Sequence, residues 1–191
     1  MEYTDKVKKG GKSAKKLILI IVVLILIVVV SWYFSSNNDD FKEGTIVIKA
    51  GDIVIGRLTL DDIEKLPSSE IEMKVFTSCN NGCKSSSKDD SKKDGSEDHV
   101  YTGTPLNEVL NSIDPNLTLK YKKIITKGVD YYSQVMDMED VQKPDNIYIV
   151  YKDYGKLLTT KDNKEGGMQV IVTGDKYGQR FTKWLVSLEL Q

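Results

Sequence analysis

The chain of 191 residues carries 27 Lys and Arg against 28 Asp and Glu, a net charge of −1, and is long enough for one domain with its own core. Beyond residue 34 the balance is acidic, with 21 basic and 26 acidic residues and no basic stripe, which argues against nucleic acid as a partner. Two cysteines are too few to build a disulfide scaffold.

An apolar run from Leu17 to Phe34 contains one Ser and no charged residue. As a helix rising ~1.5 Å per residue, it would cover ~27 Å, close to the ~30 Å hydrocarbon core of a bilayer. Trp32 and Tyr33 stand at its far end, where amphipathic rings favour the membrane–water boundary. The sequence therefore predicts a single transmembrane anchor at residues 17–34.

Lysines are concentrated before the apolar run, whereas amide and acidic side chains follow it. Because basic flanks stay on the cytoplasmic side of a membrane, residues 1–16 are predicted to be a cytoplasmic tail. Residues 35–44 are then a polar linker, and residues 45–191 form an extracytoplasmic domain at the cell membrane. A cleaved signal peptide is the rival interpretation, but the run is long and no small-residue cleavage site follows it.

The outer domain begins with two short segments rich in β-branched residues. Thr45–Lys49 and Ile53–Leu58 are separated by a turn that contains Gly51, and they predict a β-hairpin. Thr59 is placed to cap a short helix, because a hydroxyl can accept a hydrogen bond from a free amide of the first turn. Pro67 follows the predicted end of this helix.

The middle of the domain is predicted to hold a strand, a loop and a helix. Glu70–Thr77 alternates apolar and polar residues as a half-buried strand does, whereas Asn80–Asp98 has no large apolar side chain and predicts a loop. A helix is predicted to follow a Thr104 cap, with one buried apolar stripe. That stripe consists of Leu106, Val109, Leu110 and Ile113.

The remaining segments predict strands and one further helical turn. The strands are Leu117–Thr126, Val129–Met136, Asn146–Tyr151, Met168–Thr173 and Phe181–Leu190. The helical turn occupies Asp137–Val141, and Trp184 is expected in the core. Many short strands with few short helices predict a mixed α+β domain.

Five segments occur in a fixed order along the domain. They are L-T-L-D-D-I-E-K-L-P, a strand ending in Cys79, Y-T-G-T-P-L-N-E-V-L, G-V-D-Y-Y-S and K-Y-G-Q-R-F-T-K-W-L. This order resembles the molybdopterin-binding domain of the sulfite oxidase family, over about Thr45 to Leu190. The resemblance implies a mixed-sheet fold with short helices, a molybdenum–pterin cofactor and an oxidoreductase activity.

The same resemblance implies roles for three side chains. Cys79 would supply the soft thiolate that ligates molybdenum, and Arg180 and Lys183 would bind the pterin phosphate. The chain departs from the family at Gln169 and Thr173, where the family has Arg and Pro. These departures support a second hypothesis, a cofactor-free binding or assembly module of the same fold that takes an unknown small molecule or surface protein.

The two cysteines, Cys79 and Cys83, allow other interpretations as well. A disulfide between them is expected outside the cytoplasm. A site for another metal that includes His99 has an unusual spacing for structural zinc, and thiol–disulfide exchange is a further alternative. His99 is the only histidine and is expected to be a surface group beside the loop. The sequence leaves these alternatives open.

Overall fold

The computed structural model describes residues 10–35, 42–76 and 96–191. The chain divides into two compact units, residues 1–40 and residues 41–191. Cys79 and Cys83, with most of the predicted loop, lie outside the described residues. Of the predicted loop only Ser96–Asp98 is described, and these residues are the first part of a strand.

The first unit contains one helix, α1 (Gly10–Ser35). Neither Gly nor Pro interrupts the run of Leu, Ile and Val, so the helix continues across it. The large apolar side chains from Leu17 to Val29 are between 48% and 67% exposed. Within the described ranges, no helix was found to be long and apolar enough to cross a membrane. The anchor at residues 17–34 therefore stays a prediction.

The first of two sheets in the second unit is mixed. Its strands are β1 (Thr45–Ala50), β2 (Ile53–Thr59), β5 (Lys123–Gly128), β6 (Ser133–Asp137) and β10 (Leu185–Leu190). They lie in the order β2-β1-β10-β5-β6. β1 and β10 run parallel, whereas every other neighbouring pair is antiparallel. The predicted mixed α+β fold is confirmed.

The second sheet is antiparallel. Its strands are β3 (Ser69–Phe76), β4 (Ser96–Pro105), β7 (Ile147–Asp153), β8 (Lys156–Leu157) and β9 (Gln169–Val172). The order is β3-β4-β7-β8, and β9 also pairs with β7. Residues 147–151 of β7 are all buried. A strand covered on both faces needs apolar side chains at every position, and the sequence I-Y-I-V-Y meets that need.

Four short helices complete the second unit. They are α2 (Leu60–Glu64), α3 (Leu106–Asn111), α4 (Leu117–Lys120) and α5 (Met138–Gln142). The predicted Thr59 cap of α2 is confirmed and is a full capping box. The Thr59 hydroxyl accepts from the Asp62 amide at 3.3 Å, and the Asp62 carboxylate accepts from the Thr59 amide at 3.0 Å.

The apolar stripe of α3 is buried as predicted. Leu106, Val109 and Leu110 are 0% exposed, and Ile113 packs against the same core cluster. That cluster also takes side chains from both sheets, among them Ile48 of β1. The core therefore lies between the two sheets and α3, and it fixes the ends of the strands that carry the site.

One helix cap and one strand were predicted wrongly. Thr104 does not cap α3, because it is buried in β4 and its hydroxyl donates to the Ile63 carbonyl at 3.3 Å. Leu117–Thr126 was predicted as one strand, but it begins as α4. The Asp114 carboxylate accepts from the Asn116 amide at 2.9 Å, and this local turn directs the chain into a helix before β5 begins.

Two strand predictions were too long. Val129–Met136 begins with a turn in which Tyr131 has a φ of +67°, and β6 starts only at Ser133. Phe181–Leu190 contains β10 only from Leu185 onward. Trp184 was expected in the core, but it is half-buried, with a φ of +50° that ends any regular strand before β10.

Alkaline pH will lower the free energy of unfolding through Tyr148, which is 2% exposed. Burial, with the Asp145 carboxylate that accepts its hydroxyl at 2.7 Å, raises the pKa of Tyr148 to about 12 from an ordinary value of 10.0. The stability from this raised pKa is complete below pH 10.0 and is lost as the pH rises through about 12. Urea unfolding across this pH interval should show that the free energy of unfolding declines less steeply for Tyr148→Phe than for the wild type.

Tyr154→Phe is the matched control, because Tyr154 is 60% exposed. It should follow the wild-type pH profile. A Tyr148→Phe profile that also matches the wild type would contradict the assignment of the alkaline loss of stability to Tyr148.

Candidate functional site

Two adjoining cavities open beside the end of β3. Cavity A has a volume of about 300 Å³, and cavity B has a volume of about 440 Å³. Val75, Phe181 and Lys183 line both of them, so the two cavities share one wall. They are lined by the second sheet, by the segment that leads into β10, and by Asp130 and Tyr132 of the turn before β6.

A fixed histidine forms one side of cavity A. His99 Nδ1 lies 2.7 Å from Asp153 Oδ2, and Asp153 Oδ1 accepts from the Val100 amide at 3.2 Å. The His99 ring also stacks on the Tyr101 ring, with centroids 4.8 Å apart and planes 8° apart. His99 and Tyr101 point to one face because they are two residues apart in β4. The imidazole is therefore held by a carboxylate and by an aromatic ring.

Carboxylates dominate the charge on this side of the cavity. Burial raises the pKa of Tyr101, and the negative charges of Asp153 and Glu97 raise it further. The phenol therefore stays neutral and keeps its proton. Glu97 Oε2 lies 3.9 Å from His99 Nε2, beyond hydrogen-bonding distance. Cavity A thus presents a neutral donor, a ring nitrogen and a carboxylate next to one another.

Lys183 is the cation at the shared wall. The preceding residue, Thr182, is fully buried, with its hydroxyl 2.6 Å from that of Thr126, and its backbone bridges to Val170. The chain passes very close to β5 here: a Cβ on Gly128 would lie 2.5 Å from the Lys183 carbonyl oxygen. These contacts fix the backbone, so the Lys183 side chain projects into solvent at the wall of both cavities.

Arg180, predicted as a phosphate ligand, is held by two aspartates. Its Nε and Nη2 donate to Asp175 at 3.0 and 2.8 Å, and its Nη1 donates to Asp140 at 3.1 Å. Hydrogen bonding to Asp175, with the charges of both aspartates, raises the pKa of Arg180. Arg180 is not among the lining residues of cavities A and B. This guanidinium fastens the segment before β10 to α5.

The predicted site residues are only partly brought together. Lys183 lies at the cavities, Arg180 is not among the residues that line them, and Cys79 falls outside the described residues. His99 was expected on the surface, but its side chain is 20% exposed and it lines cavity A. The i, i+2 spacing of Glu97, His99 and Tyr101 is the signal that could have revealed this wall. In the part of the chain that the structure describes, no three His, Asp or Glu side chains are grouped to hold a metal ion.

Comparison with known proteins identifies a family and similar solved structures. The family described as oxidoreductase molybdopterin binding domain matches residues 51–191. The crystal structure of the sulfane dehydrogenase SoxCD from Paracoccus pantotrophus is similar, with a TM-score of 0.55 and 18% identity. The match covers 76% of this chain and 37% of that chain, and at this identity it shows the fold alone. No curated protein matches the chain.

Proposed function

Because the chain belongs to the oxidoreductase molybdopterin binding domain family, we propose that it is a membrane-anchored, extracytoplasmic ligand-binding domain of that fold that works without the molybdenum–pterin cofactor. The observation that carries this proposal is the state of Arg180. Its charge is neutralised by Asp175 and Asp140, while the carboxylates of Glu97 and Asp153 line cavity A.

The described residues do not fit the phosphate end of a pterin cofactor. A phosphate dianion is normally bound by several Arg, Lys or backbone N–H donors. Among the described residues that line cavities A and B, Lys183 is the only Lys or Arg, and it shares the two walls with Glu97, Asp153 and Asp130. The excess of carboxylates would repel the phosphate dianion. On this proposal the domain keeps the fold of the family but does not bind the pterin cofactor.

A second candidate function is a molybdenum–pterin oxidoreductase, and the family match favours it. In that case Cys79 would ligate molybdenum, and Arg180 and Lys183 would bind the phosphate. Phe76, three residues before Cys79, lines cavity B.

Metal and pterin analysis separates the two candidates. The full chain, made in a host that synthesises the cofactor, should contain molybdenum far below one atom per chain, and oxidation should release no fluorescent pterin. Ligand binding should also be unchanged in Cys79→Ser and in its matched control, Cys83→Ser. Near-stoichiometric molybdenum that disappears in Cys79→Ser but persists in Cys83→Ser would overturn the proposal.

The anchor and its orientation are supported by the apolar run at residues 17–34 and by the lysines before it. Protease added to intact cells should therefore digest residues 45–191 and leave the tail at residues 1–16 intact. The measurement is mass spectrometry of the membrane fraction, with cells opened before digestion as the control. Protection of residues 45–191 with loss of the tail would contradict the orientation.

A further inference from the structure

Cavity A contains a carboxylate and an ammonium that do not pair with each other. The Glu97 side chain is 65% exposed, and its neighbour in the cavity is the His99 ring, whose Nε2 lies 3.9 Å from Glu97 Oε2. Lys183 lines the same cavity. Among the described residues, no carboxylate lies within 4.0 Å of its ammonium group. Two opposite charges that face one cavity and leave each other unpaired are available to a ligand that carries both.

The fixed His99 ring defines where a cation fits. With Nδ1–H donated to Asp153, the other ring nitrogen, Nε2, is the one left to a ligand, and it lies on the side of Glu97. The 3.9 Å between Nε2 and Glu97 Oε2 is too long for a direct hydrogen bond. A ligand ammonium placed ~2.8 Å from each atom would donate to both, which is the length of a charge-assisted hydrogen bond.

The rest of the cavity wall is mostly apolar, with Thr159 and Gln169 as its further polar residues. It includes Leu158, Met168, Phe181 and Trp184. The volume of about 300 Å³ is at the lower end of the roughly 300–1,000 Å³ of ligand pockets. A ligand that fits must therefore be small, with a short apolar part between or beside its two charges.

We infer that cavity A binds a small zwitterion of the amino-acid class, with its ammonium between Glu97 and His99 and its carboxylate on Lys183. The inference rests on the proposed function, because it assigns a ligand to the cavity of a cofactor-free domain.

Calorimetric titration of the full chain in detergent tests the inference. The probes are L-leucine, 4-aminobutyrate and 6-aminohexanoate, in which the two charges are successively farther apart. At least one should bind saturably at one site per chain. Its decarboxylated and deaminated counterparts should lose affinity by at least about tenfold, because each loses a charge-assisted hydrogen bond.

Four variants locate the binding site. Glu97→Gln and Lys183→Gln should each weaken binding of the zwitterion by about tenfold, since each removes one charged partner. Glu70→Gln and Lys122→Gln remove the same charges at exposed positions away from cavity A and should bind as the wild type does. Binding that Glu97→Gln and Lys183→Gln leave unchanged would overturn the inference.

Failure of the inference is distinguishable from failure of the proposed function. Protein that is free of molybdenum and pterin but binds none of the three probes would overturn the ligand assignment alone. Protein that carries molybdenum and pterin would overturn the proposed function, whatever the titration shows.

Discussion

Ile149→Ala will lower the free energy of unfolding by about 2–5 kcal/mol, the range for truncating a large buried side chain. Ile149 is 0% exposed, and its strand β7 pairs with β4 on one side and with β9 on the other. Since neighbours from both strands hold the backbone, the site cannot collapse around the lost atoms. Urea unfolding of the full chain, followed by tryptophan fluorescence, measures the change.

Ile53→Ala is the matched control, because Ile53 is 69% exposed on the edge strand β2. It removes the same atoms and should change the free energy of unfolding by less than about 1 kcal/mol. Equal losses in the two variants would contradict the placement of the core between the sheets.

Gly167→Ala will cost about 3 kcal/mol and will also weaken ligand binding in cavity A. A Cβ at this position would overlap the Thr159 carbonyl oxygen and lie 2.6 Å from its carbonyl carbon. Backbone cannot move aside as a flexible side chain can. The Gly167 amide also donates to the Leu158 carbonyl at 2.8 Å, and both Leu158 and Thr159 line the cavity. Urea unfolding and calorimetric titration measure the two losses.

Gly174→Ala is the control for this close approach. No heavy atom lies within 4 Å of a Cβ built at Gly174, and its φ is not in the left-handed region. The variant should therefore be as stable as the wild type, or slightly more stable because the unfolded chain loses freedom. A Gly167→Ala protein as stable as Gly174→Ala would show that the backbone at Gly167 does not pack against Thr159 as described.

Much of the fold could be predicted from local patterns. The β-branched runs predicted β1 and β2 to within one residue at each end, and the Thr59 cap is present. The resemblance to the sulfite oxidase family is confirmed by the family match. What local patterns could not supply is the division of the strands into two sheets, because pairing depends on contacts between distant segments.

The errors within the fold have a common physical origin. Leu117–Lys120 has apolar residues that fit a strand, yet the Asp114 turn before it selects a helix. Thr104 is a good capping residue by type, but burial in β4 gives its hydroxyl another acceptor. In both places tertiary or turn contacts outweigh the preference of the residue itself.

The site was only partly predictable for the same reason. Lys183 was identified through the resemblance, and it does line the cavities. Arg180 was assigned to a phosphate, and that role stays a prediction, but no local pattern indicated its contact with Asp140, forty residues earlier. The pair of His99 and Asp153 joins positions separated by 54 residues, and no periodicity reveals such a contact.

The parallel pairing of β1 with β10 has a consequence for how the domain is made. Val47 lies opposite Ser187, so a central seam of the mixed sheet joins segments about 140 residues apart. Closing so distant a contact is slow and requires the last strand to be present. The mixed sheet therefore cannot close before β10 has been synthesised. Until β10 is made, the hairpin of β1 and β2 has no neighbour that joins it to β5 and β6.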